Sequence, residues 1–222
     1  MQQFHKIPKD RIGAMIGPDG QTKRDILRRT GIRVDVDSEN GEVTIDYENA
    51  RDPSMVLKVA DIVKAVGRGF SPERAFELLK DDCYFALFDI QDYVGKKPDS
   101  IHRMKARVIG TGGKTRRIIE DLAEVELSIY GDTIGVIGDI IALETAKVAL
   151  DMILNGAEHS SVYTFLERKR RDRHLEEMHR PEPREDIDKP EPREDLDRPE
   201  PREDIDMPAE KPAKKEGSGE EE

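Results

Sequence analysis

Two glycine-bearing stretches, Ile16-Gly17-Pro18-Asp19-Gly20 and Ile109-Gly110-Thr111-Gly112-Gly113, stand 93 residues apart, and their surroundings agree at the same offset. Ile26 falls on Ile119, Ile32 on Val125, Val34 on Leu127 and Val36 on Ile129. The shared pattern is one apolar position on a helix after each loop, then an apolar residue at every second position, the period of a half-buried strand. A repeat at this spacing limits the chain to two copies of one small fold rather than a single large domain.

In the first copy, residues 3–7 read as a strand and 10–16 as a short helix with Ile12, Met15 and Ile16 on one side. Residues 21–29 form the helix after the loop, stopped by Gly31. Residues 32–36 alternate, Asn40-Gly41 makes a hairpin turn, and 42–47 return. Pro53 opens a closing helix to about residue 67, buried along Val56, Val59, Ala60 and Val63. The second copy repeats the order, with a strand at 84–90, helices at 100–108 and 114–123, strands at 125–130 and 135–137 around Gly131-Asp132, and a closing helix at 140–154. The expected class is α+β, β-α-α-β-β-α twice, each copy a three-stranded antiparallel sheet packed by three helices.

Between the copies, Ser71-Pro72-Glu73 is a capped helix start whose Ala75, Phe76, Leu78 and Leu79 pack the halves together. A last helix from about Ser160 presents Val162, Tyr163, Phe165 and Leu166 for packing and then the run Arg168-Lys169-Arg170-Arg171-Asp172-Arg173. The predicted boundaries are 1–69 for the first domain, 70–82 for the linker helix, 83–157 for the second domain, 158–179 for the basic helix and 180–222 for a tail.

In that tail Arg180-Pro181-Glu182-Pro183-Arg184-Glu185-Asp186-Ile187-Asp188 recurs twice more with a nine-residue period. Two prolines per copy exclude helix and sheet, and one aliphatic residue per copy cannot build a core, so an extended, disordered acidic segment is expected. Its nine basic and 17 acidic residues carry −8 of the chain's −11. The rest is close to neutral, so the overall acidity does not exclude a nucleic-acid partner.

The single cysteine, Cys83, cannot form an internal disulfide and reads as a structural thiol. With no apolar run of the roughly 20 residues that cross a bilayer, and with the polar start Met1-Gln2-Gln3-Phe4-His5-Lys6, a soluble cytoplasmic monomer is expected. The scarcity of Cys, Asn and Gln beside 38% charged residues matches a bias of heat-loving organisms.

A helix, a tight G-x-x-G turn and a second helix bring bare backbone beside a helix N-terminus, where amide hydrogens and the helix dipole attract phosphate oxygens. Glycine lets a sugar-phosphate chain approach closely. Lys23, Arg24, Arg28 and Arg29 follow the first loop, while Arg103, Lys105, Arg107, Lys114, Arg116 and Arg117 bracket the second. Candidate RNA-binding residues are therefore Gly110, Thr111, Gly112, Gly113, Lys114, Arg107, Arg116 and Arg117, with Gly17, Pro18, Asp19, Gly20, Lys23 and Arg24 in the first copy.

Residues 12–36 resemble the core motif of the type I KH family, and 108–129 match it more loosely. The tandem spacing and the run Arg103-Met104-Lys105-Ala106-Arg107-Val108-Ile109-Gly110-Thr111-Gly112-Gly113-Lys114-Thr115 resemble the partner-of-Nob or Dim-two family in its archaeal form, over roughly residues 4–170. The resemblance implies a non-catalytic ribosome-assembly factor that binds single-stranded RNA near the 3′ end of small-subunit ribosomal RNA. It also implies partners in the endonuclease that cuts that end and a dimethyladenosine methyltransferase. KH loops usually carry a basic residue between the glycines, where this chain has Pro18-Asp19 and Thr111-Gly112. Asp19 repels phosphate, so the second domain is the expected main site and the first a weaker one or a protein contact. An apolar residue is also usual three positions after the loop, where Lys23 and Arg116 stand.

Two other readings compete. Gly113-Lys114-Thr115 matches the end of a nucleotide-binding P-loop, but the glycine required five positions earlier is Val108. The dinucleotide fingerprint begun by Gly110 and Gly112 lacks its third glycine, which would fall at Thr115. His5, His102, His159, His174 and His179 lack metal-ligand spacing, and Asp81, Asp82 and Asp89 read as solvated acids, so no cofactor is expected. A protein-interaction scaffold, or a general RNA-binding regulator with no ribosomal role, remains as the non-enzymatic alternative.

Overall fold

In a computed structural model that describes residues 1–48, 52 and 54–179, the order β-α-α-β-β-α occurs twice. The first copy consists of β1 (Gln2–Lys6), α1 (Ile12–Ile16), α2 (Gln21–Thr30), β2 (Arg33–Val36), β3 (Glu42–Asp46) and α3 (Ser54–Gly67). Its sheet is antiparallel in the order β1-β3-β2. Val43 and Ile45 alternate along β3 toward the helices, where Met15, Ile26, Val59, Ile62 and Val63 complete a core without exposed surface. Full burial of each such side chain stabilises by roughly 1.5–3 kcal/mol.

Gly31, at φ 73 and ψ 4, stops α2 by returning its N–H to the Leu27 carbonyl, as its place in the sequence predicts. Pro53, expected to open α3, lies outside the described residues, as does the acidic repeat. At its first residue α3 is tied to Asp52, whose Oδ1 accepts the Ser54 N–H at 2.8 Å.

The linker forms α4 (Pro72–Ala75), capped by the Ser71 side chain, and continues as a tighter turn over Phe76–Leu79. Phe70, Ala75 and Leu78 are buried in the first core together with Ile137 from the second sheet. The second copy follows as β4 (Tyr84–Asp89), α5 (Gln91–Val94), α6 (Pro98–Ile109), α7 (Lys114–Ala123), β5 (Glu126–Tyr130), β6 (Thr133–Gly138) and α8 (Ile140–Leu154). Its sheet repeats the first one's order as β4-β6-β5.

Both faces of β6 are covered. Ile134 and Val136 enter the second core, while Ile137 joins the first. A Cβ at Gly135 would meet the Phe70 ring at 2.7 Å, so only glycine lets the linker phenylalanine seat there. Polar contacts add to the junction: Tyr130 Oη donates to Asp10 at 2.6 Å and Ser128 Oγ to the Arg68 carbonyl at 2.9 Å.

Some features depart from expectation: β6 spans Thr133–Gly138 rather than 135–137. α5 is an extra short helix, started by the Asp89 carboxylate accepting the Gln91 N–H and anchored where the Tyr93 hydroxyl donates to Asp151. That hydrogen bond pushes the Tyr93 phenol up to about 12. α6 begins at Pro98 rather than residue 100, because proline's fixed φ and missing N–H suit a first helical turn. The last helix, α9 (His159–His179), packs Val162 and Leu166 into the second core. Cys83 is half-buried against the first core, and burial raises its thiol pKa, as suits a structural role.

Candidate nucleic-acid interface

The two loops share one backbone path. Gly17 and Gly110 lie at φ 73, ψ 173 and φ 71, ψ 173, and Gly20 and Gly113 at φ 75, ψ 22 and φ 77, ψ 16. The third positions, Asp19 (φ 50, ψ 27) and Gly112 (φ 60, ψ 23), are both left-handed. Aspartate adopts that region at some cost, helped by its short side chain.

The first glycine of each loop is enforced by a buried threonine. A Cβ at Gly17 would stand 2.3 Å from Thr22 Oγ1, and one at Gly110 would stand 2.3 Å from Thr115 Oγ1. Both threonines are buried. Sequence reasoning overlooked this pair, although Thr22 and Thr115 recur at the 93-residue offset. Their hydroxyls have different partners: Thr22 donates to the Ala14 carbonyl at 3.3 Å, whereas Thr115 pairs with the Tyr163 hydroxyl of α9 at 2.9 Å.

Around the second loop, Thr111, Gly112, Lys114 and Arg117 are exposed and Gly110, Gly113 and Arg116 half-buried. A Cβ at Gly112 would meet nothing within 4 Å, so the backbone there is open to an approaching chain. No side chain caps α7, and the loop's own turn takes two of the amides at its start, the Gly113 N–H on the Gly110 carbonyl and the Lys114 N–H on the Thr111 carbonyl. Among the described residues Lys114 and Arg117 have no carboxylate partner, so their charge is available. Arg107 is placed otherwise. Its Nη2 donates to the Ala157 carbonyl and its Nε is buried, so it braces the entry to α9. Arg11 does the same in the first domain, donating to the Val66 and Phe70 carbonyls.

The first loop is similar in shape and different in charge. Pro18 and Asp19 are exposed, Gly17 and Gly20 half-buried. Arg24 folds back on the Asp19 carbonyl, and Lys23 pairs with Asp35 of β2 at 3.1 Å. Arg28 pairs with Asp25, and Arg29 lies over the Phe76 ring, 4.8 Å from its centroid. Beside this loop a cleft of about 690 Å³ opens against the linker, lined by Gly13, Gln21, Thr22, Asp25 and Phe76 among others.

The P-loop alternative fails here on structure. What precedes Gly113-Lys114-Thr115 is the helix α6, where a phosphate-binding P-loop follows a strand. Among the described residues, no three His, Cys, Asp or Glu side chains gather where a metal could be held, and no helix is long and apolar enough to cross a membrane.

Residues 84–171 match the family model for the second KH domain of PNO1, described as eukaryotic type KH-domain (KH-domain type I), and residues 2–52 match the general KH domain. A KH domain-containing protein of Methanocaldococcus jannaschii is 44% identical over 167 residues, which are 75% of this chain and 73% of that protein. In the crystal structure of an a/eIF2alpha–aDim2p–rRNA complex from Pyrococcus horikoshii, the similar chain is 43% identical at a TM-score of 0.73, covering 78% of this chain and 95% of its own length. The chain belongs to the PNO1/Dim2 family of two-KH-domain proteins. More distant members include the pre-rRNA-processing protein pno1 of Schizosaccharomyces pombe, 29% identical over 61% of this chain and 56% of its own length. Membership accounts for the repeated β-α-α-β-β-α order and the position of both loops.

Proposed function

We propose that this protein binds single-stranded RNA without catalysing a reaction and serves small-subunit ribosome assembly, holding ribosomal RNA near its 3′ end. The observation that carries the reading is the second loop: open backbone at Gly112, the start of α7 without a side-chain cap, and the cations Lys114 and Arg117, which have no carboxylate partner among the described residues. Phosphate oxygens would lie at that helix start while about four nucleotides pass over the loop. Gly110, Thr111, Gly113 and Arg116 complete the site. Gly17, Pro18, Gly20, Lys23 and Arg24 offer a weaker one, because the Asp19 carboxylate stands where Gly112 stands.

Relatives named for RNA binding and pre-rRNA processing support the reading, as does the ribosomal RNA in the Pyrococcus horikoshii complex. That complex also makes an initiation-factor α subunit a protein partner of fitting kind. An assembly endonuclease and a ribosomal RNA methyltransferase acting at the same end are the further partners the family implies. A cytoplasmic monomer suits this role.

A salt titration tests it. Binding to a single-stranded oligonucleotide through several phosphate contacts should weaken roughly 10³-fold or more between 50 and 200 mM salt. Weak binding at every salt concentration would instead identify a protein-interaction scaffold.

A further inference from the structure

The cation three positions after each glycine loop is clamped by a carboxylate. In the second domain, Glu120 Oε1 accepts from Arg116 Nε at 3.2 Å and from Arg116 Nη2 at 3.1 Å. The same oxygen accepts the Leu127 N–H of β5 at 3.0 Å and lies 3.5 Å from Arg74 Nη1 of the linker. Glu120 is 16% exposed, so this anchor is fixed between α7, the edge strand and the linker. Arg116 remains 34% exposed. With the Nε and Nη2 side of the guanidinium facing Glu120, the outer edge formed by Nη1 and Nη2 is left as a planar fork.

We propose that Arg116 is a specificity-determining residue that selects a guanine in the strand held at the second loop, through bidentate hydrogen bonds to guanine O6 and N7. This rests on the RNA-binding reading above. Two considerations separate base reading from phosphate binding. The charge of Arg116 is already balanced by Glu120, and a carboxylate that close disfavours a phosphate, so the residue is a poor anchor for the backbone. Lys114 and Arg117, without carboxylate partners among the described residues, supply that attraction instead. What the clamp does provide is direction, and a rigid guanidinium fork matches the acceptor pair on guanine's Hoogsteen edge. The first domain holds Lys23 against Asp35 in the matching place. A lysine presents a point donor rather than a fork, so no comparable selection is expected there.

The test uses the full chain and labelled hexanucleotides: hexauridine and six variants carrying one guanosine at successive positions, titrated by fluorescence anisotropy. The expected result is one position at which guanosine tightens binding roughly tenfold, and at which 7-deazaguanosine or adenosine does not. Arg116→Lys, which keeps the charge and loses the fork, should abolish the guanosine gain, read as the ratio of guanosine-hexamer to hexauridine affinity falling to about one. Glu120→Gln retains an acceptor for Leu127 and should reduce the gain while sparing hexauridine.

A parallel fall in affinity for every hexamer in Arg116→Lys would make Arg116 a phosphate contact and overturn the proposal. So would a wild-type protein that binds hexauridine in a Gly112-dependent manner and gains nothing from guanosine at any position. Absence of binding to all hexamers would overturn the RNA reading along with it.

Discussion

Gly17-Pro18-Asp19-Gly20 and Gly110-Thr111-Gly112-Gly113 trace nearly the same backbone, yet one holds a carboxylate where the other holds no side chain. The cations differ in the same sense. Lys23, Arg24, Arg28 and Arg29 are each engaged by a carboxylate, a carbonyl or a ring, whereas Lys114 and Arg117 have no carboxylate partner among the described residues. Shape and charge are therefore set by separate residues. A buried threonine and glycines with positive φ fix the path of the loop, and a change there disturbs the core. The exposed third position and the surface cations carry the electrostatics, and they can change while the fold persists.

The strongest way to break this comparison is through shape. Gly17→Ala and Gly110→Ala each drive a Cβ to 2.3 Å from a buried threonine hydroxyl at positive φ. Each should destabilise by about 2–4 kcal/mol, read as a fall in the urea midpoint. A much smaller loss in one domain would mean that its loop is held differently.

Charge comes next. Gly112→Asp should be tolerated by the fold at about 1–2 kcal/mol, since Asp19 already occupies the same left-handed region. Its carboxylate beside a bound phosphate should weaken RNA binding by roughly 1–3 kcal/mol, about five- to 150-fold. Unchanged affinity with an intact circular dichroism spectrum would remove the second loop from the site. The reciprocal Asp19→Lys should strengthen binding by a smaller factor, because the neighbouring first-domain cations stay tied to their partners.

A third test sharpens the comparison on the opposite flank of the loops, where α9 covers the second domain and a cleft remains beside the first. Tyr163→Phe leaves the buried Thr115 hydroxyl without its partner and should cost about 1 kcal/mol. That corresponds to a melting temperature roughly 2–4 °C lower for a chain of this size. No change would mean that packing of Val162 and Leu166 alone holds α9 in place.

Much of this architecture was legible in the sequence because periodic apolar positions coincided with stop signals. α7 and α8 match their predicted bounds, the former opening at the glycine loop and the latter at Asp139, whose Oδ1 accepts the Ala142 N–H at 2.7 Å. α5 was not legible, since four residues are too few to show a helical period. At the site, the Arg116–Glu120 pair has helical i, i+4 spacing and could have been anticipated. The Lys23–Asp35 pair spans a helix and a strand, and Arg107 reaches a carbonyl 50 residues away, so neither partner can be read from local spacing. Glu124 occupies the helix-stop place that Gly31 fills in the first copy, at φ 59, where its carboxylate meets Arg173 of α9 at 2.8 Å. A glycine was not required there because a tertiary contact fixes the residue instead.

The smallest effect comes from the edge strands. Gln3 and His5 on β1 pair with Ile45 and Val43, the core-facing positions of β3, whereas the second domain puts Ala86 and Phe88 opposite Val136 and Ile134. Burial lowers the His5 pKa from its ordinary 6.5, and the Lys64 cation lowers it further against a weaker opposing pull from Asp61. Between the depressed native pKa and the unfolded value, the unfolded chain binds more protons, so stability must rise with pH through that window. The contribution of neutral His5 is thus complete above about pH 6.5 and lost as the pH falls through the native pKa. His5→Leu removes the titrating group, so its urea midpoint should decline less than that of the wild-type protein between pH 7 and 5. Equal declines would mean that the His5 imidazole accepts its proton in the native strand as easily as in the unfolded chain.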